Sequence, residues 1–92
     1  MKINDLQWDA INVEHIADHG VSPAEVEDVC FGHNYSKKES ARRYLLRGQT
    51  RDGKYLLVVI TNIGAGLFRP ITAFKMSEAY KSGYRRKQRG GK

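Results

Sequence analysis

Two apolar runs around an Asp-Gly pair dominate the pattern of hydrophobic and polar positions. Residues 43–49 and 55–61 are rich in aromatic, β-branched and long aliphatic side chains, and Asp52-Gly53 lies between them. Because glycine takes a positive φ without steric cost, this pattern predicts a β-hairpin with a two-residue turn. The hairpin is expected to form the centre of a sheet.

The two-residue turn fixes which residues face each other across the predicted hairpin. It places Leu46 opposite Val59 on one face and leaves Leu45 and Ile60 on the other. Both faces of the hairpin are therefore apolar, and each needs a cover from another part of the chain.

The N-terminal third of the chain predicts two helices. Asp9 is a suitable N-cap for a helix that runs to the neighbourhood of His19, with Gly20 just beyond its end. Residues 22–25 read Ser-Pro-Ala-Glu, which combines an N-cap serine, proline at the first helical position and glutamate at the third. A second helix is therefore expected from this point to about Phe31.

The remaining segments complete the predicted sheet. Residues 3–8 suit a short first strand, residues 35–40 a loop or a short edge strand, and residues 67–74 another strand. Pro70 cannot donate a ladder hydrogen bond, so the last of these strands is expected to lie at an edge or to be bulged there.

A last helix is predicted from Ser77 to about Arg86, with a stripe of Met76, Tyr80 and Tyr84 that docks on the sheet. The pattern as a whole predicts an α+β fold: a small antiparallel sheet of three to four strands, two N-terminal helices and one C-terminal helix. Residues 1–86 are expected to form one domain, followed by a basic, flexible tail at 87–92.

Composition and charge narrow the function. The chain has 92 residues, a net charge of +6 and a single cysteine, Cys30, which excludes an internal disulfide. No apolar run approaches the length of a membrane span, so a cytoplasmic protein with no membrane partner is expected. Residues 1–36 hold one basic and seven acidic residues, whereas residues 37–92 hold fifteen basic and three acidic residues. Such segregation favours a polyanionic partner, most simply RNA.

A histidine pair is one candidate for chemistry. His15 and His19 lie four residues apart, on one face of the first predicted helix, with Asn12 one turn earlier. This spacing suits a metal pair or an acid and base pair, and it equally suits packing or hydrogen bonding, which is the commoner use of such histidines. No metal-binding, phosphate-loop or catalytic-triad motif is present, so neither a cofactor nor a metal is expected.

The arginines make the stronger case. A guanidinium cluster on a rigid sheet binds phosphate bidentately and stabilises charge that develops during phosphoryl transfer. Such a site cleaves RNA without a metal when the ribose 2′-hydroxyl is the nucleophile, and the alternative is a basic face that only binds. The basic residues that the predicted register places on one hairpin face, with those of the next strand, are Arg43, Arg47, Arg51, Lys54, Arg69 and Lys75.

Several short motifs together resemble BrnT-like proteins, ribonuclease toxins of bacterial toxin–antitoxin pairs. In the first half they are Trp8-Asp9, Asn12, His15-Ile16, His19-Gly20-Val21 and Glu25-Val26-Glu27. In the second half they are Arg43-Tyr44, Gly48, the segments 52–56 and 69–73, Met76-Ser77 and Tyr84. The order and spacing of these motifs, from Leu6 to Arg86, carry the resemblance.

The resemblance implies a compact RelE-like toxin domain that cleaves RNA on a curved antiparallel sheet without metal. It also implies a cognate antitoxin, usually a ribbon-helix-helix protein. Two positions depart from the family pattern, because Phe74 stands where an arginine is usual and Tyr80 where a glutamate is usual. The alternative function is therefore a non-catalytic RNA-binding or partner-binding module derived from such a toxin.

These considerations define the predicted site. The residues expected to hold the scissile phosphate or to assist proton transfer are Arg43, Arg69, Lys75, Tyr84 and His19. The residues expected to bind RNA elsewhere are Arg47, Arg51, Lys54, Arg85 and Arg86.

Overall fold

A computed structural model describes residues 1–90 and contains a five-stranded sheet with three helices. In chain order the elements are β1 (Asp5–Leu6), α1 (Ala10–Ala17), α2 (Pro23–Phe31), β2 (Asn34–Lys38), β3 (Arg43–Gln49), β4 (Tyr55–Gly64), β5 (Leu67–Lys75) and α3 (Glu78–Gly90). The strand order is β1-β5-β4-β3-β2. The predicted α+β class is confirmed, and no helix within residues 1–90 is long and apolar enough to cross a membrane.

The predicted sheet was too small and of the wrong type. It has five strands instead of three to four, and it is mixed, because β1 runs parallel to β5 whereas the other neighbours are antiparallel. β1 is only two residues long, and its pairing depends on a distant segment. β2 is polar, and its backbone completes the edge beside β3 although its side chains carry little apolar signal. Both segments were strand candidates: Leu6 of β1 is buried in the core, whereas β2 has no buried side chain and was predicted as a loop or a short edge strand.

The central hairpin forms, but its loop has one residue more than predicted. The Thr50 N–H donates to the Lys54 carbonyl over 2.8 Å, and the Gly53 N–H donates to the Thr50 carbonyl over 3.0 Å. Gly53 has φ +96°, which makes this a three-residue loop ending in a left-handed glycine. The register moves by one residue, so Leu46 faces Val58 and not Val59.

Helices α1 and α2 begin where the sequence predicted. The Asp9 carboxylate accepts from the backbone N–H groups of Ile11 and Asn12, and the Asn12 side chain accepts from the Asp9 N–H in return. Ser22 and Glu25 form the predicted capping box at the start of α2. Both helices therefore start at fixed positions over the sheet.

Helices α1 and α2 cover one face of the sheet and enclose the larger core. Ile16, Val26 and Val29 are fully buried against Leu46 and Val58 of the central hairpin. Asn12 is buried as well, and its side-chain amide donates to the carbonyls of Gln7 and Pro70. We call this side of the sheet the covered face.

Helix α3 covers only part of the opposite face. Met76 and Tyr84 are buried against Leu57, but Tyr80 is 37% exposed, so the predicted stripe docks at two of its three positions. We call this side the open face. The helix continues to Gly90, beyond its predicted end near Arg86. The mobility predicted for residues 87–92 stays a prediction, and residues 91–92 lie outside the described part of the chain.

A β-bulge in β5 sets which of its side chains reach the open face. The register with β4 shifts between the pairs Val59–Thr72 and Ile60–Pro70, which leaves Ile71 as the extra residue. The bulge predicted from Pro70 is therefore present. Because of it, Arg69 and Phe74 lie on the same face although they are five positions apart, which in a regular strand would place them on opposite faces.

Candidate nucleic-acid interface

Two arginines are aligned across three neighbouring strands of the open face. Arg43 on β3 pairs with Thr61 on β4, and Thr61 pairs in turn with Arg69 on β5. Neighbouring strands are about 4.8 Å apart, so the two arginine Cα atoms lie roughly 10 Å from each other. We call this set of three residues the arginine row. Its spacing lets two guanidinium groups approach one phosphate from opposite sides.

Arg69 is anchored within the arginine row by the loop before α1. Its Nη1 lies 2.6 Å from Asp9 Oδ2 and its Nη2 3.2 Å from Asp9 Oδ1, a bidentate ion pair. Its Nη1 also donates to the Gln7 side-chain oxygen over 3.2 Å. The hydrogen bond from Arg69 lowers the pKa of the Asp9 carboxyl below its ordinary value. Asp9 thus holds one end of the arginine row in place and competes with any phosphate for it.

Arg43 is exposed, and its side chain makes no hydrogen bond or ion pair within residues 1–90. The two ends of the arginine row therefore differ: Arg43 is free to bind an anion, whereas Arg69 is already paired. An incoming phosphate meets Arg43 at no cost in existing contacts.

Aromatic rings attach α3 to the sheet. The Tyr84 ring stands edge-on to Tyr35 and Tyr55, with centroids 5.6 Å and 5.7 Å away. Burial raises the pKa of the Tyr84 hydroxyl. Arg85 donates from Nε to the Tyr55 hydroxyl over 3.3 Å and lies over the same ring. Tyr84 and Arg85, predicted to act on RNA, thus also hold the helix in position, while Arg86 is exposed.

His19 and Lys75 lie apart from the arginine row. The His19 ring packs near those of His15 and Phe74, with centroids 5.5 Å and 6.0 Å away, at the end of α1. Lys75 pairs in register with Leu56, whose side chain lies on the covered face. The structure therefore brings Arg43 and Arg69 together. It leaves His19 and Lys75 at the C-terminal end of β5.

The cations at the hairpin loop are engaged with α2. Lys54 Nζ lies 2.6 Å from Glu25 Oε2, and Arg51 Nε lies 3.7 Å from Asp28 Oδ1. The predicted common face of Arg43, Arg47, Arg51 and Lys54 was wrong for the last two, because the three-residue loop turns them toward α2. Arg47 keeps its place on the open face and donates from Nε to the Tyr35 carbonyl over 3.5 Å.

The sheet separates the charges that the sequence segregates. Most acidic side chains of the first 36 residues belong to α1, α2 and their caps, above the covered face. The arginine row and the cations of α3 lie on the other side, where α3 carries five basic residues and only Glu78 as an acid. The open face therefore has the electrostatic character of a polyanion-binding surface. Within residues 1–90, no cluster of three or more His, Cys, Asp or Glu side chains suits a metal ion.

A comparison with solved structures identifies the fold. The crystal structure of the ribonuclease toxin BrnT from Brucella abortus matches 80% of this chain and 97% of its own, with a TM-score of 0.66 and 19% sequence identity. The chain has a BrnT-like fold. The resemblance inferred from scattered motifs is thus confirmed at the level of structure. No protein-family model matches the sequence, and no curated protein matches it significantly.

Two partners in the site of this BrnT-like fold were not predicted from sequence. The sequence identifies Asp9 as a helix cap. It does not reveal the ion pair with Arg69, because Arg69 is 60 positions later in the chain. Thr61 joins the two arginines only in the register that the three-residue loop produces. A correct loop assignment is the one signal by which the sequence could have revealed this row.

Proposed function

We propose that this protein is a toxin-like endoribonuclease that cleaves RNA without a metal ion and is neutralised by a cognate antitoxin. The observation that carries the proposal is the arginine row, which places two guanidinium groups across three strands on the basic, open face of a BrnT-like sheet. The structurally similar Brucella abortus protein is a ribonuclease toxin, which supports the same activity here.

The proposed reaction uses the ribose 2′-hydroxyl as nucleophile. Its oxygen attacks the adjacent phosphorus, the bond from phosphorus to the 5′-oxygen breaks, and the products are a 2′,3′-cyclic phosphate and a 5′-hydroxyl end. Negative charge grows on the non-bridging oxygens during attack, and Arg43 and Arg69 are placed to stabilise it. A base must take the proton of the 2′-hydroxyl, and an acid must donate a proton to the leaving 5′-oxygen.

The groups proposed for proton transfer are His19 and Tyr84. The His19 ring lies 6.0 Å, centroid to centroid, from that of Phe74, the position at which the family pattern has an arginine, and this proximity supports a role for the imidazole in proton transfer. Tyr84 is proposed as the acid and not as the base, because a phenol is protonated at neutral pH and burial raises the pKa of this one further. Lys75 follows Phe74 and is proposed as an additional phosphate ligand at the end of β5.

The proposed protein partner is an antitoxin of the ribbon-helix-helix type. The basic open face needs an acidic or RNA-like cover while the toxin is inactive, and an antitoxin that supplies carboxylates meets that need. A short reading frame beside the gene, with a ribbon-helix-helix pattern, is the expected source.

A second candidate function is a non-catalytic RNA-binding module. Phe74 stands where the family pattern has an arginine, and this apolar residue is 37% exposed. Arg69 is already paired with Asp9. Both features favour binding over bond cleavage. The module predicts salt-sensitive RNA binding without products.

The test is incubation of purified protein with single-stranded RNA in EDTA, with analysis of product ends. We expect 2′,3′-cyclic phosphate products, and a loss of cleavage of roughly 100-fold or more in an Arg43→Gln, Arg69→Gln variant. Lys54→Gln is the matched control, since that lysine is paired with Glu25 on the covered side. Cleavage unchanged in the double variant rejects the arginine row as the site, and binding without products selects the module.

The cellular test is expression in a bacterium. The toxin predicts growth arrest that is relieved when the neighbouring reading frame is expressed together with it. Normal growth of cells that accumulate the folded protein supports the module instead.

A further inference from the structure

A recess on the open face lies between α3 and β3. Its volume is about 300 Å3, at the lower end of the range of small-molecule sites and large enough for one nucleobase. The residues that line it are Arg47, Ala79, Tyr80, Gly83, Tyr84 and Lys87. Two of these six side chains are cationic and none is acidic.

Gly83 keeps this recess open. It lies in the interior of α3, where glycine is among the least favourable residues, and no left-handed φ at this position requires it. A Cβ built at Gly83 meets no atom within 4 Å, so close packing does not require glycine either. A larger side chain at position 83 would fill the recess, whereas glycine leaves it open.

The chemistry of the lining suits a nucleotide. Tyr80 is 37% exposed and presents a ring on which a base can stack. Arg47 is held at the recess by its hydrogen bond to the Tyr35 carbonyl, and Lys87 Nζ lies 5.0 Å from the centroid of the Tyr35 ring. Both cations thus lie beside Tyr35 at the border of the recess, where they can bind the phosphate of a nucleotide whose base stacks on Tyr80.

The recess also lies on the same strand as one end of the arginine row, farther along β3. Arg47 follows Arg43 by four residues on β3 and shares its face, so their Cα atoms are about 13 Å apart. A single strand of RNA that crosses the arginine row can therefore reach the recess after a short stretch of backbone.

We infer that the recess is a nucleotide-binding subsite for single-stranded RNA, in which one base stacks on Tyr80 and its phosphate binds Arg47 and Lys87. This inference rests on the proposed function, because it assigns a second contact to the same RNA strand. It gives Tyr80, which departs from the family pattern, a role in substrate binding.

The first experiment fills the recess. Affinity is measured by fluorescence anisotropy with a labelled ten-nucleotide RNA that is 2′-O-methylated, so that the 2′-oxygen cannot act as a nucleophile. We expect Gly83→Leu to weaken binding roughly tenfold, the loss typical of one stacked base. Ser82→Leu is the matched control, because it adds the same side chain to the neighbouring helix position outside the recess. Equal affinities of the two variants would overturn the inference.

The second experiment identifies the occupant. Uridine 5′-monophosphate or inorganic phosphate is titrated into 15N-labelled protein, and the amide signal of Gly83 is followed. We expect a saturable shift with the nucleotide, a much smaller one with phosphate, and none with the nucleotide when Tyr80 is changed to Leu. An equal response to phosphate alone would overturn the inference by reducing the recess to an anion site.

The two proposals fail in distinguishable ways. If the wild-type protein binds no RNA, both are rejected. If it binds RNA through Arg43 but Gly83→Leu matches Ser82→Leu, only the recess is rejected and the proposed function stands. If Gly83→Leu weakens binding while no cleavage products form, the recess is supported and the function is that of the binding module.

Discussion

The two faces of the sheet use the same strands for different purposes. On the covered face, α1 and α2 enclose side chains such as Leu46 and Val58 that are fully buried. On the open face, Tyr84 of α3 and Met76 just before the helix are buried, and Arg43 stays exposed beside half-buried Leu45 and Thr61. The first arrangement maximises apolar burial, whereas the second leaves charge accessible next to a modest aromatic cluster.

Under the proposed function, folding stability and RNA binding depend on opposite faces of the same sheet. Because successive residues of a strand point to opposite faces, neighbours such as Leu45 and Leu46 belong to different tasks. Substitutions on the covered face should therefore act on folding, and substitutions on the open face should act on RNA. Four experiments test this separation.

The largest effect is expected from Leu46→Ala, which should lower the free energy of unfolding by about 3 kcal/mol because it leaves a cavity in the closed core. Leu45→Ala, one residue earlier on the half-covered face, is the matched control and should lose less than half as much. Urea unfolding monitored by circular dichroism measures both. Equal losses would show that the open face is packed as tightly as the covered one.

The next effect is on RNA affinity. Arg43→Gln should weaken binding of a single-stranded oligoribonucleotide about tenfold and reduce its salt dependence, with no change in melting temperature. Lys54→Gln also removes one positive charge, but from a cation already paired with Glu25, and should change affinity less than twofold. If both variants lose the same affinity, net charge and not the arginine row governs binding.

A gain of affinity is expected from Asp9→Asn. Asparagine caps a helix as well as aspartate does, so α1 keeps its start, while Arg69 loses its charged partner and becomes available to phosphate. RNA affinity should rise about threefold. Asp5→Asn removes the same charge from β1 without touching Arg69, and it should have a smaller effect. The same gain in both variants would mean that Asp9 does not restrain Arg69.

The smallest effect concerns pH. Hydrogen bonds from Arg69, Lys54 and Thr50 hold the pKa values of Asp9, Glu25 and Asp52 below their ordinary values. A carboxyl with a lowered folded-state pKa stabilises the fold above its ordinary pKa and loses that contribution as pH falls through the folded value. The melting temperature should therefore be constant above about pH 5 and fall below about pH 4.

Glu25→Gln isolates one contribution to this pH dependence. Glutamine can still accept the Ser22 N–H in the capping box but carries no charge for Lys54. The variant should show a shallower fall of melting temperature with acid. An unchanged acid profile would place the effect on other carboxyls.

Much of the fold was predictable from local signals. The Asp9 and Ser22 caps, the Asp52-Gly53 loop and the bulge near Pro70 each follow from the chemistry of one or two residues, and each is present. The edge segments were strand candidates, but the parallel pairing of β1 with β5 was not predictable, because its partner is more than sixty positions later in the chain. For β2 the sequence predicts only a loop or an edge strand, because backbone hydrogen bonds hold it and its side chains carry little apolar signal.

The candidate site was predictable only in part. Arg43 and Arg69 were singled out as a pair, and the structure aligns them. Arg51 and Lys54 were assigned to the wrong face, since one extra loop residue reverses the side to which a strand residue points. The predicted roles of His19, Lys75 and the α3 cations stay predictions, as no measurement on RNA distinguishes them.

The sequence alone predicts which segments form helices and strands, how charge is segregated and that the sheet is basic. It does so because helix caps, turns and the alternation of apolar and polar residues act over a few positions. Only the tertiary structure decided that Asp9 restrains Arg69, that Tyr80 stays exposed and that Gly83 opens a recess beside Arg47. These are contacts between distant segments, and they depend on a strand register and a helix docking that are fixed only when the whole core packs.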